Sequence, residues 1–346
     1  MNGKKTILIT GGCGYIGSHT AVDLLQKDYD VISIDNLSHS KQFVVDRIKA
    51  ITNKEFINYR IDCRDIQKLK TVISNNPEIE GIIHFAAFKS VGESVKMPLQ
   101  YYDNNLNSLI NMLRIAEEFK INSFIFSSSC SVYGNTKELP VSEQTKVETP
   151  ESPYGWTKLI CEQILESHAK NVVTNIIALR YFNPVGAHVS GLIGEIPFGN
   201  PENLVPAVTQ TAIGKREKIT VHGNDYDTRD GSCIRDYIHV MDIAEAHSLA
   251  LQYLLENKNE SNYEVFNLGT GKGVTVLEVI QAFEKINAIK LNYIMGERRK
   301  GDVIEIYADN KKAREKLAWH CKFSLEDMMR TAWLWEQTMQ KETTLS

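Results

Sequence analysis

Short apolar runs alternate with amphipathic segments along much of this chain. The runs have the length of buried strands, and the segments between them repeat their apolar positions with the period of a helix. This alternation predicts an α/β fold with a doubly wound parallel sheet of the Rossmann type. The predicted strands cover residues 6–10, 31–34, 56–61, 81–85, 123–128 and 175–180.

The pattern changes after Asn183, where glycine and proline become frequent. Loop-rich texture beyond a regular strand and helix pattern suggests a second, smaller α/β region. We expect the Rossmann domain to comprise residues 1–182 and 236–269 and the second domain to comprise residues 183–235 and 270–346.

Composition excludes several classes of protein. With 346 residues and a net charge of −4, the chain lacks the basic excess of a nucleic-acid-binding or membrane-surface protein. It contains neither an apolar run of membrane-spanning length nor a signal-peptide core, so we expect no membrane partner. The six cysteines form no C-x-x-C pair, and neither they nor the nine histidines show metal-ligand spacing. These features predict reduced thiols in a cytoplasm and no metal.

A glycine-rich turn follows the first predicted strand and precedes a helical pattern, which is the required context of a dinucleotide fingerprint. Gly11 permits the tight turn, Gly14 lets the backbone approach a pyrophosphate, and Gly17 allows close helix packing. Asp35 follows the second strand, where a carboxylate suits the two hydroxyls of an adenosine ribose and repels a 2′-phosphate. The fingerprint therefore predicts NAD as cofactor.

Tyr154 and Lys158 are spaced to lie on one face of a helix. A free phenol has a pKa of about 10, so it needs a shift of roughly three units to act as a base at neutral pH. A fixed ammonium nearby favours the phenolate, so we expect Lys158 to lower the pKa of Tyr154. Tyrosine and lysine at this spacing also occur on ordinary solvated helix faces. The glycine turn earlier in the chain favours the catalytic interpretation.

Seven segments resemble motifs of the extended short-chain dehydrogenase/reductase family, namely residues 11–20, 91–94, 101–105, 124–129, 180–187, 235–242 and 267–269. The segments at 180–187 and 235–242 are particular to its members that invert C4 of UDP-hexoses. The resemblance implies an isomerase that interconverts UDP-glucose and UDP-galactose through a 4-keto intermediate with tightly bound NAD. It further implies that Tyr154 takes the hydroxyl proton, that Lys158 together with the cofactor's positive charge lowers the Tyr154 pKa, and that Ser129 hydrogen-bonds the same oxygen. A serine at a strand end can also simply cap the backbone.

The same resemblance implies that further residues bind the cofactor. Besides Gly11, Gly14, Gly17, Asp35, Ser129, Tyr154 and Lys158, these are Tyr15, Ile16, Asn36, Ser40, Asp62, Cys63, Phe85, Ala86, Ala87, Lys89, Asn104 and Phe182.

It also implies that the second domain binds the nucleotide sugar. The expected contacts are Lys89, Ser129, Tyr154, Asn183, Asn203, Leu204, Thr220, Val221, His222, Arg235, Arg299, Asp302 and Ile306. Arg235 and Arg299 would clamp the diphosphate, because guanidinium forks match phosphate oxygens. For Arg298 we expect only solvation.

The resemblance also implies a homodimer formed by two helices of each subunit. Apolar stripes at Leu106, Leu109, Ile110 and Leu113, and at Ile160 and Ile164, suit it, although an intramolecular role explains them almost equally well.

The chain departs from the family pattern at three places. Trp156 and Thr157 replace the usual Lys-Ser pair, and His222 occupies a position where an aromatic often contacts uracil. Ile306 replaces a tyrosine that relatives restricted to glucose and galactose tend to carry, which predicts some activity on UDP-N-acetylglucosamine.

The sequence argues against two other functions. A nucleotide-sugar dehydratase needs an acidic pair directly after the catalytic hydroxyl, where this chain has Cys130 and Ser131. An NAD-binding regulator without catalysis would be expected to lose Tyr154 or Lys158, and both are present.

Overall fold

The computed structural model describes residues 4–197, 201, 203–299 and 302–345. The strands along the chain are β1 (Thr6–Thr10), β2 (Asp30–Ile34), β3 (Ile57–Tyr59), β4 (Ile79–His84), β5 (Ser123–Ser129), β6 (Asn175–Tyr181), β7 (Asn183–Val185), β8 (Ile219–His222), β9 (Ile234–Arg235), β10 (Tyr237–His239), β11 (Tyr263–Leu268), β12 (Val274–Thr275), β13 (Tyr293–Gly296) and β14 (Glu305–Ile306).

The helices are α1 (Tyr15–Gln26), α2 (Phe43–Thr52), α3 (Ile66–Ser74), α4 (Val91–Lys96), α5 (Pro98–Glu118), α6 (Pro153–Ala169), α7 (Leu204–Ala212), α8 (Val240–Leu255), α9 (Val276–Asn287), α10 (Lys311–Leu317) and α11 (Leu325–Leu345). A short 3₁₀ helix, Cys130–Tyr133, follows β5. None of these described helices has both the length and the apolar content needed to span a bilayer.

Seven parallel strands form the main sheet, in the spatial order β11-β6-β5-β4-β1-β2-β3. All six predicted strands are in this sheet, with ends that differ by at most two residues. The predicted doubly wound parallel sheet is therefore confirmed. The order reverses between β1 and β4, and ligands of such folds bind beyond the carboxyl ends of the strands at this switch point.

Helices cover both faces of the sheet because both faces are apolar. In β1, Ile7 and Ile9 join a buried cluster on one face, with Val22 of α1 and Leu251 of α8. Leu8 points the other way and joins a second cluster with residues of α3, α5 and α6. Alternation along one strand thus divides the core into two layers.

Within the described part of the chain, three small sheets lie outside the main one, with strand orders β10-β7, β12-β9-β14 and β13-β8. Helices α7, α9 and α11 supply most of a separate buried cluster there, which includes Val208, Phe283 and Met329. The start of α9 is fixed by a capping box, in which Thr275 and Glu278 satisfy each other's backbone N–H groups.

Candidate active site

A cleft of about 540 Å³ lies beyond the carboxyl ends of the central strands. The residue that ends or follows each of β1, β2, β4, β5 and β6 lines it: Gly11, Asp35, Phe85, Ser129 and Phe182. Every residue predicted to bind the cofactor lines this cleft. The roles of these residues remain predictions, whereas their convergence on one cleft is a property of the fold.

The glycine turn lines the cleft. Gly11 has φ +72°, and a Cβ there would lie 3.0 Å from the backbone nitrogen of Ala86. A Cβ on Gly17 would lie 2.2 Å from the carbonyl oxygen of Gly11, whereas one on Gly14 would meet only that oxygen, at 3.2 Å. Helix α1 begins at Tyr15 without a side-chain cap. Its first N–H groups are therefore available to an anion, and the turn fits a dinucleotide pyrophosphate.

Asp35 is buried at the end of β2, where its carboxylate already has partners in the chain. Oδ2 accepts from the Cys13 N–H at 3.0 Å, and Oδ1 accepts from the Leu37 N–H at 2.9 Å and the Ser40 hydroxyl at 2.8 Å. A carboxylate has about four acceptor positions, so one is left for a ribose hydroxyl. Asp35 therefore also holds the loop after β2, which the sequence did not indicate.

Tyr154 and Lys158 occupy the first two turns of α6. Ser152 caps this helix by accepting from the Gly155 N–H, and Pro153 takes its first position, which suits proline. Lys158 Nζ lies 5.9 Å from the centre of the Tyr154 ring and donates to the carbonyl oxygen of Ser127 at 2.7 Å. The predicted pair is thus brought together at the end of β5.

The charge states of this pair differ from the expectation. Burial raises the pKa of Tyr154 above its ordinary value, and a hydrogen bond with Ser129 only partly offsets this. Burial also lowers the pKa of Lys158 to about 8. In the protein without NAD, desolvation of the enclosed phenol outweighs the effect of Lys158, an ammonium that is itself desolvated, so the expected lowering of the Tyr154 pKa depends on the cofactor's positive charge as well.

Ser129 caps the backbone and also lies in the cleft, where its catalytic role is a prediction. Its hydroxyl caps the 3₁₀ helix by accepting from the Ser131 N–H at 3.2 Å, and it lines the cleft. Cys130 and Ser131, which replace the acidic pair of a dehydratase, also line the cleft.

A buried ion pair next to Tyr154 and Lys158 on α6 was not predicted. Glu162 accepts from Arg180 Nε at 2.9 Å and from the Ser128 hydroxyl at 2.5 Å. Arg180 also donates to the Tyr133 hydroxyl at 2.9 Å, which in turn donates to Asn267 at 2.7 Å. This network joins α6 to the ends of β5 and β6. A glutamate four residues after Lys158 was the available sequence signal.

Asn105, next to the predicted Asn104, fixes the loop after β4. It accepts from the Phe88 N–H at 2.8 Å and donates to the Phe88 carbonyl at 3.1 Å and to the Thr157 hydroxyl at 3.0 Å. Thr157 in turn donates to the carbonyl oxygen of Tyr154 at 2.7 Å. The threonine of the divergent pair is therefore a buried structural partner, while Trp156 beside it is 37% exposed.

The residues expected to bind the nucleotide sugar divide into two groups. Arg235, Arg299 and Asp302 line the cleft together, with Asp302 3.9 Å from Arg235 Nη2 and 3.4 Å from Arg299 Nε. Lys89, Asn183, Asn203 and Ile306 also line it. Leu204, Thr220, Val221 and His222 do not, and the last three lie on β8, which pairs with β13.

Several residues that line the cleft were not predicted. One is Tyr181, whose hydroxyl lies 2.5 Å from that of Ser127 on the neighbouring strand. Others are Cys13, His39, Val91, Val95, Glu151 and Val303. Arg298 is outside the cleft, where it pairs with Asp225 at 2.8 Å. Among the described residues, no group of His, Cys, Asp and Glu is placed to hold a metal ion.

Comparison with known proteins agrees with this geometry. Residues 8–332 match the family model described as GDP-mannose 4,6 dehydratase. A UDP-glucose 4-epimerase of Bacillus subtilis is 45% identical over 96% of this chain and 97% of its own length.

Solved structures give the same picture. A UDP-glucose 4-epimerase from Stenotrophomonas maltophila, with bound NAD and formylated UDP-arabinopyranose, has a TM-score of 0.94 at 42% identity and covers 98% of this chain and 99% of its own. One from Bifidobacterium longum, in complex with NAD⁺ and UDP, has a TM-score of 0.91 at 44% identity, with coverage of 96% and 98%. The UDP-Glc/GlcNAc 4-epimerase of Campylobacter jejuni has a TM-score of 0.83 at 36% identity, with coverage of 96% and 99%. With near-complete coverage in sequence and in structure, the chain belongs to the UDP-glucose 4-epimerase family of the extended short-chain dehydrogenases/reductases.

Proposed function

We propose that this cleft interconverts UDP-glucose and UDP-galactose by oxidising C4 of the hexose to a ketone and reducing it from the opposite face. The observation that carries this proposal is the enclosed group of Tyr154, Lys158 and Ser129 in the same cleft as the glycine turn. An alcohol carbon has no acidic C–H, so direct proton abstraction cannot invert it. Oxidation followed by reduction avoids that barrier.

NAD is the cofactor that the cleft fits. When bound, it supplies the reversible two-electron oxidation of the alcohol and a positive nicotinamide charge. Gly11, Gly14 and the amino terminus of α1 would hold its pyrophosphate, and the remaining acceptor position of Asp35 would meet its adenosine ribose. Phe85, Ala86 and Ala87 would lie along it.

Tyr154 moves the proton in this proposal. Its phenolate oxygen would accept the C4 hydroxyl proton during oxidation, and the resulting phenol would return it during reduction, while Ser129 orients the shared oxygen. Because burial raises the Tyr154 pKa, the neutral phenol is the resting form of the protein by itself. A phenolate therefore depends on positive charge in the assembled site, to which Lys158 contributes.

The nucleotide sugar would lie across the second region. Arg235 and Arg299 present guanidinium groups to the diphosphate, with Asp302 between them, and Asn183 and Asn203 offer amide contacts. Leu204, Thr220, Val221 and His222 would contact the uridine only if their elements approach the cleft more closely.

We also propose that N-acetylated UDP-hexoses are accepted in part. Ile306 is buried, lines the cleft, and pairs with Arg235 in the β9-β14 ladder. It has no phenol ring over the sugar but is larger than serine or cysteine. The related enzyme of Campylobacter jejuni, named for both sugars, supports a breadth of this kind.

A homodimer in the cytoplasm is the proposed working state. Leu109 and Leu113 of the expected stripe lie in the core, whereas Leu106, Ile110, Ile160 and Ile164 are only partly buried. Leu99 and Trp156 extend these two stripes and are 81% and 37% exposed. All six cysteines are free thiols, as a reducing compartment favours. Sedimentation of wild type and Ile160→Lys tests the dimer, which the lysine should dissociate.

The reaction itself is tested by incubating purified protein with UDP-galactose, without added NAD, and identifying the product. The expected product is UDP-glucose, formed by the wild type and not by Tyr154→Phe. A 4-keto-6-deoxy sugar would instead indicate a dehydratase. Absence of any product from protein that retains NAD would contradict the proposed function.

A further inference from the structure

Glu195 lies between the residues assigned to the cofactor and those assigned to the nucleotide sugar. Its Oε1 atom accepts from Lys89 Nζ at 2.7 Å and from Asn203 Nδ2 at 3.2 Å. Lys89 belongs to the loop after β4, and Asn203 is the residue before α7. One carboxylate oxygen therefore connects two elements that approach the cleft from different regions of the fold.

The position of Glu195 is well restrained. Its side chain is only 12% exposed, and its backbone carbonyl accepts from the Trp335 indole N–H at 2.8 Å. Its neighbours Gly194 and Ile196 line the cleft, whereas Glu195 does not. A ligand in the cleft would thus touch the partners of Glu195 and not Glu195 itself.

Glu195 restrains the exposed side chain of Lys89. The Lys89 side chain is 54% exposed, and a long lysine side chain loses rotamer freedom when it is fixed. The ammonium also lies 5.3 Å from the centre of the Tyr15 ring in the glycine turn, and the Tyr15 hydroxyl donates to the Gly186 carbonyl at 2.6 Å. Lys89 is thus held over the turn before a ligand binds, which lowers the entropic cost of binding.

We propose that Glu195 is a positioning residue that couples cofactor retention to nucleotide-sugar binding. Through the same carboxylate it holds Lys89, which is expected to contact both the cofactor and the nucleotide sugar, and Asn203, which is expected to contact the nucleotide sugar. A ligand that orders either partner thereby orders the other, and the coupling is reciprocal by linkage. This inference rests on the proposed ligand roles of Lys89 and Asn203.

The experiment measures two quantities other than turnover. One is the rate at which NAD is lost during dialysis, and the other is the Kd for UDP by calorimetry. The variants are Lys89→Met, Asn203→Ala and Glu195→Ala, with Asn203→Ala also made in the Glu195→Ala background. Glu245→Ala is the matched control. The Glu245 side chain is 20% exposed and lies 2.6 Å from Lys322 Nζ, and neither residue lines the cleft.

Loss of the charge-assisted bonds should make Glu195→Ala lose NAD about tenfold faster and bind UDP about tenfold more weakly. Asn203→Ala should accelerate NAD loss when Glu195 is present and leave it unchanged in the Glu195→Ala background. Glu245→Ala should match the wild type. Glu195→Gln keeps an acceptor oxygen without the charge, so its effects should be intermediate, and it replaces Glu195→Ala if that variant does not fold.

Two results would overturn the inference while leaving the proposed function intact. One is that Glu195→Ala behaves like Glu245→Ala, although Lys89→Met speeds NAD loss and Asn203→Ala weakens UDP binding. The other is that Asn203→Ala changes NAD loss by the same factor in both backgrounds. If Lys89→Met and Asn203→Ala alter neither ligand, the proposed roles of these residues fail, and the inference fails with them.

Discussion

Lys158 donates a 2.7 Å hydrogen bond to the carbonyl oxygen of Ser127, the residue two before Ser129 on β5. This bond fixes the ammonium against the strand end, 5.9 Å from the centre of the Tyr154 ring. Tyr154, Lys158 and Ser129 thus lie together at the junction between β5 and α6. Several consequences of this arrangement can be measured.

Removing the phenol oxygen should abolish turnover while leaving NAD bound. In Tyr154→Phe the glycine turn is untouched, and loss of a proton-transfer group costs roughly 10²–10⁴-fold in rate. The measurement is kcat with UDP-galactose together with NAD content. Tyr253→Phe is the control, since this buried tyrosine of α8 lies outside the cleft and should keep full activity. Near-wild-type epimerisation by Tyr154→Phe would refute the mechanism.

The rate should decline in alkali as Lys158 loses its proton. Its pKa is lowered to about 8 by burial, so kcat/KM should fall as pH rises through about 8. A kcat/KM that stays level well above that pH would show that the ammonium is not required.

The stability of the fold should rise over the alkaline range in which the rate falls. The folded pKa of Lys158 lies below its ordinary value of 10.5, so the folded state releases the proton first and the free energy of unfolding rises between pH about 8 and 10.5. Urea unfolding across this range measures the rise, which Lys158→Met should remove. An equal rise in the methionine variant would assign it to other groups.

Asp35→Ala should weaken NAD binding strongly and lower the melting temperature only moderately. The variant removes the acceptor for ribose, but it also frees the Cys13 and Leu37 N–H groups and the Ser40 hydroxyl. We therefore expect a moderate fall in melting temperature as well. Asp30→Ala, at the exposed start of the same strand, is the control and should change neither quantity. A collapse in melting temperature with unchanged NAD content would make Asp35 purely structural.

Breaking the buried ion pair should destabilise the fold severely. Glu162→Ala leaves the Arg180 guanidinium buried without a counter-charge, at a cost of about 3–5 kcal/mol in unfolding free energy. Glu80→Ala removes the surface partner of Lys5 and should cost no more than about 1 kcal/mol. Urea unfolding compares the two, and similar losses would mean that the buried pair has no special role.

Substrate breadth should narrow when a ring is placed over the sugar. Ile306→Tyr fills space at the cleft wall beside Phe182 and Val132, so N-acetylated substrates should lose more turnover than plain ones. Rates for both sugar pairs in wild type and variant give the ratio. An unchanged ratio would show that Ile306 only packs against its neighbours.

Local chemistry was visible in the sequence by itself. Short apolar runs located six of the seven strands in the main sheet, because buried parallel strands are short and continuously apolar. The order of strand, glycines and helix identified the turn at Gly11, because only glycine tolerates so close a backbone contact. Four-residue spacing paired Tyr154 with Lys158. These features depend on neighbours along the chain.

Contacts between distant segments were decided only by the tertiary structure. Glu195 meets Lys89 across 106 positions of sequence, and Arg180 meets Glu162 from a different element. The same holds for Asp35, whose carboxylate meets the Cys13 N–H of the glycine turn across 22 positions of sequence. The charge of Tyr154 could not be read from spacing either, because desolvation depends on everything that encloses the phenol. Spacing along the chain determined which groups could react, whereas burial and long-range packing determined their protonation and what holds them in place.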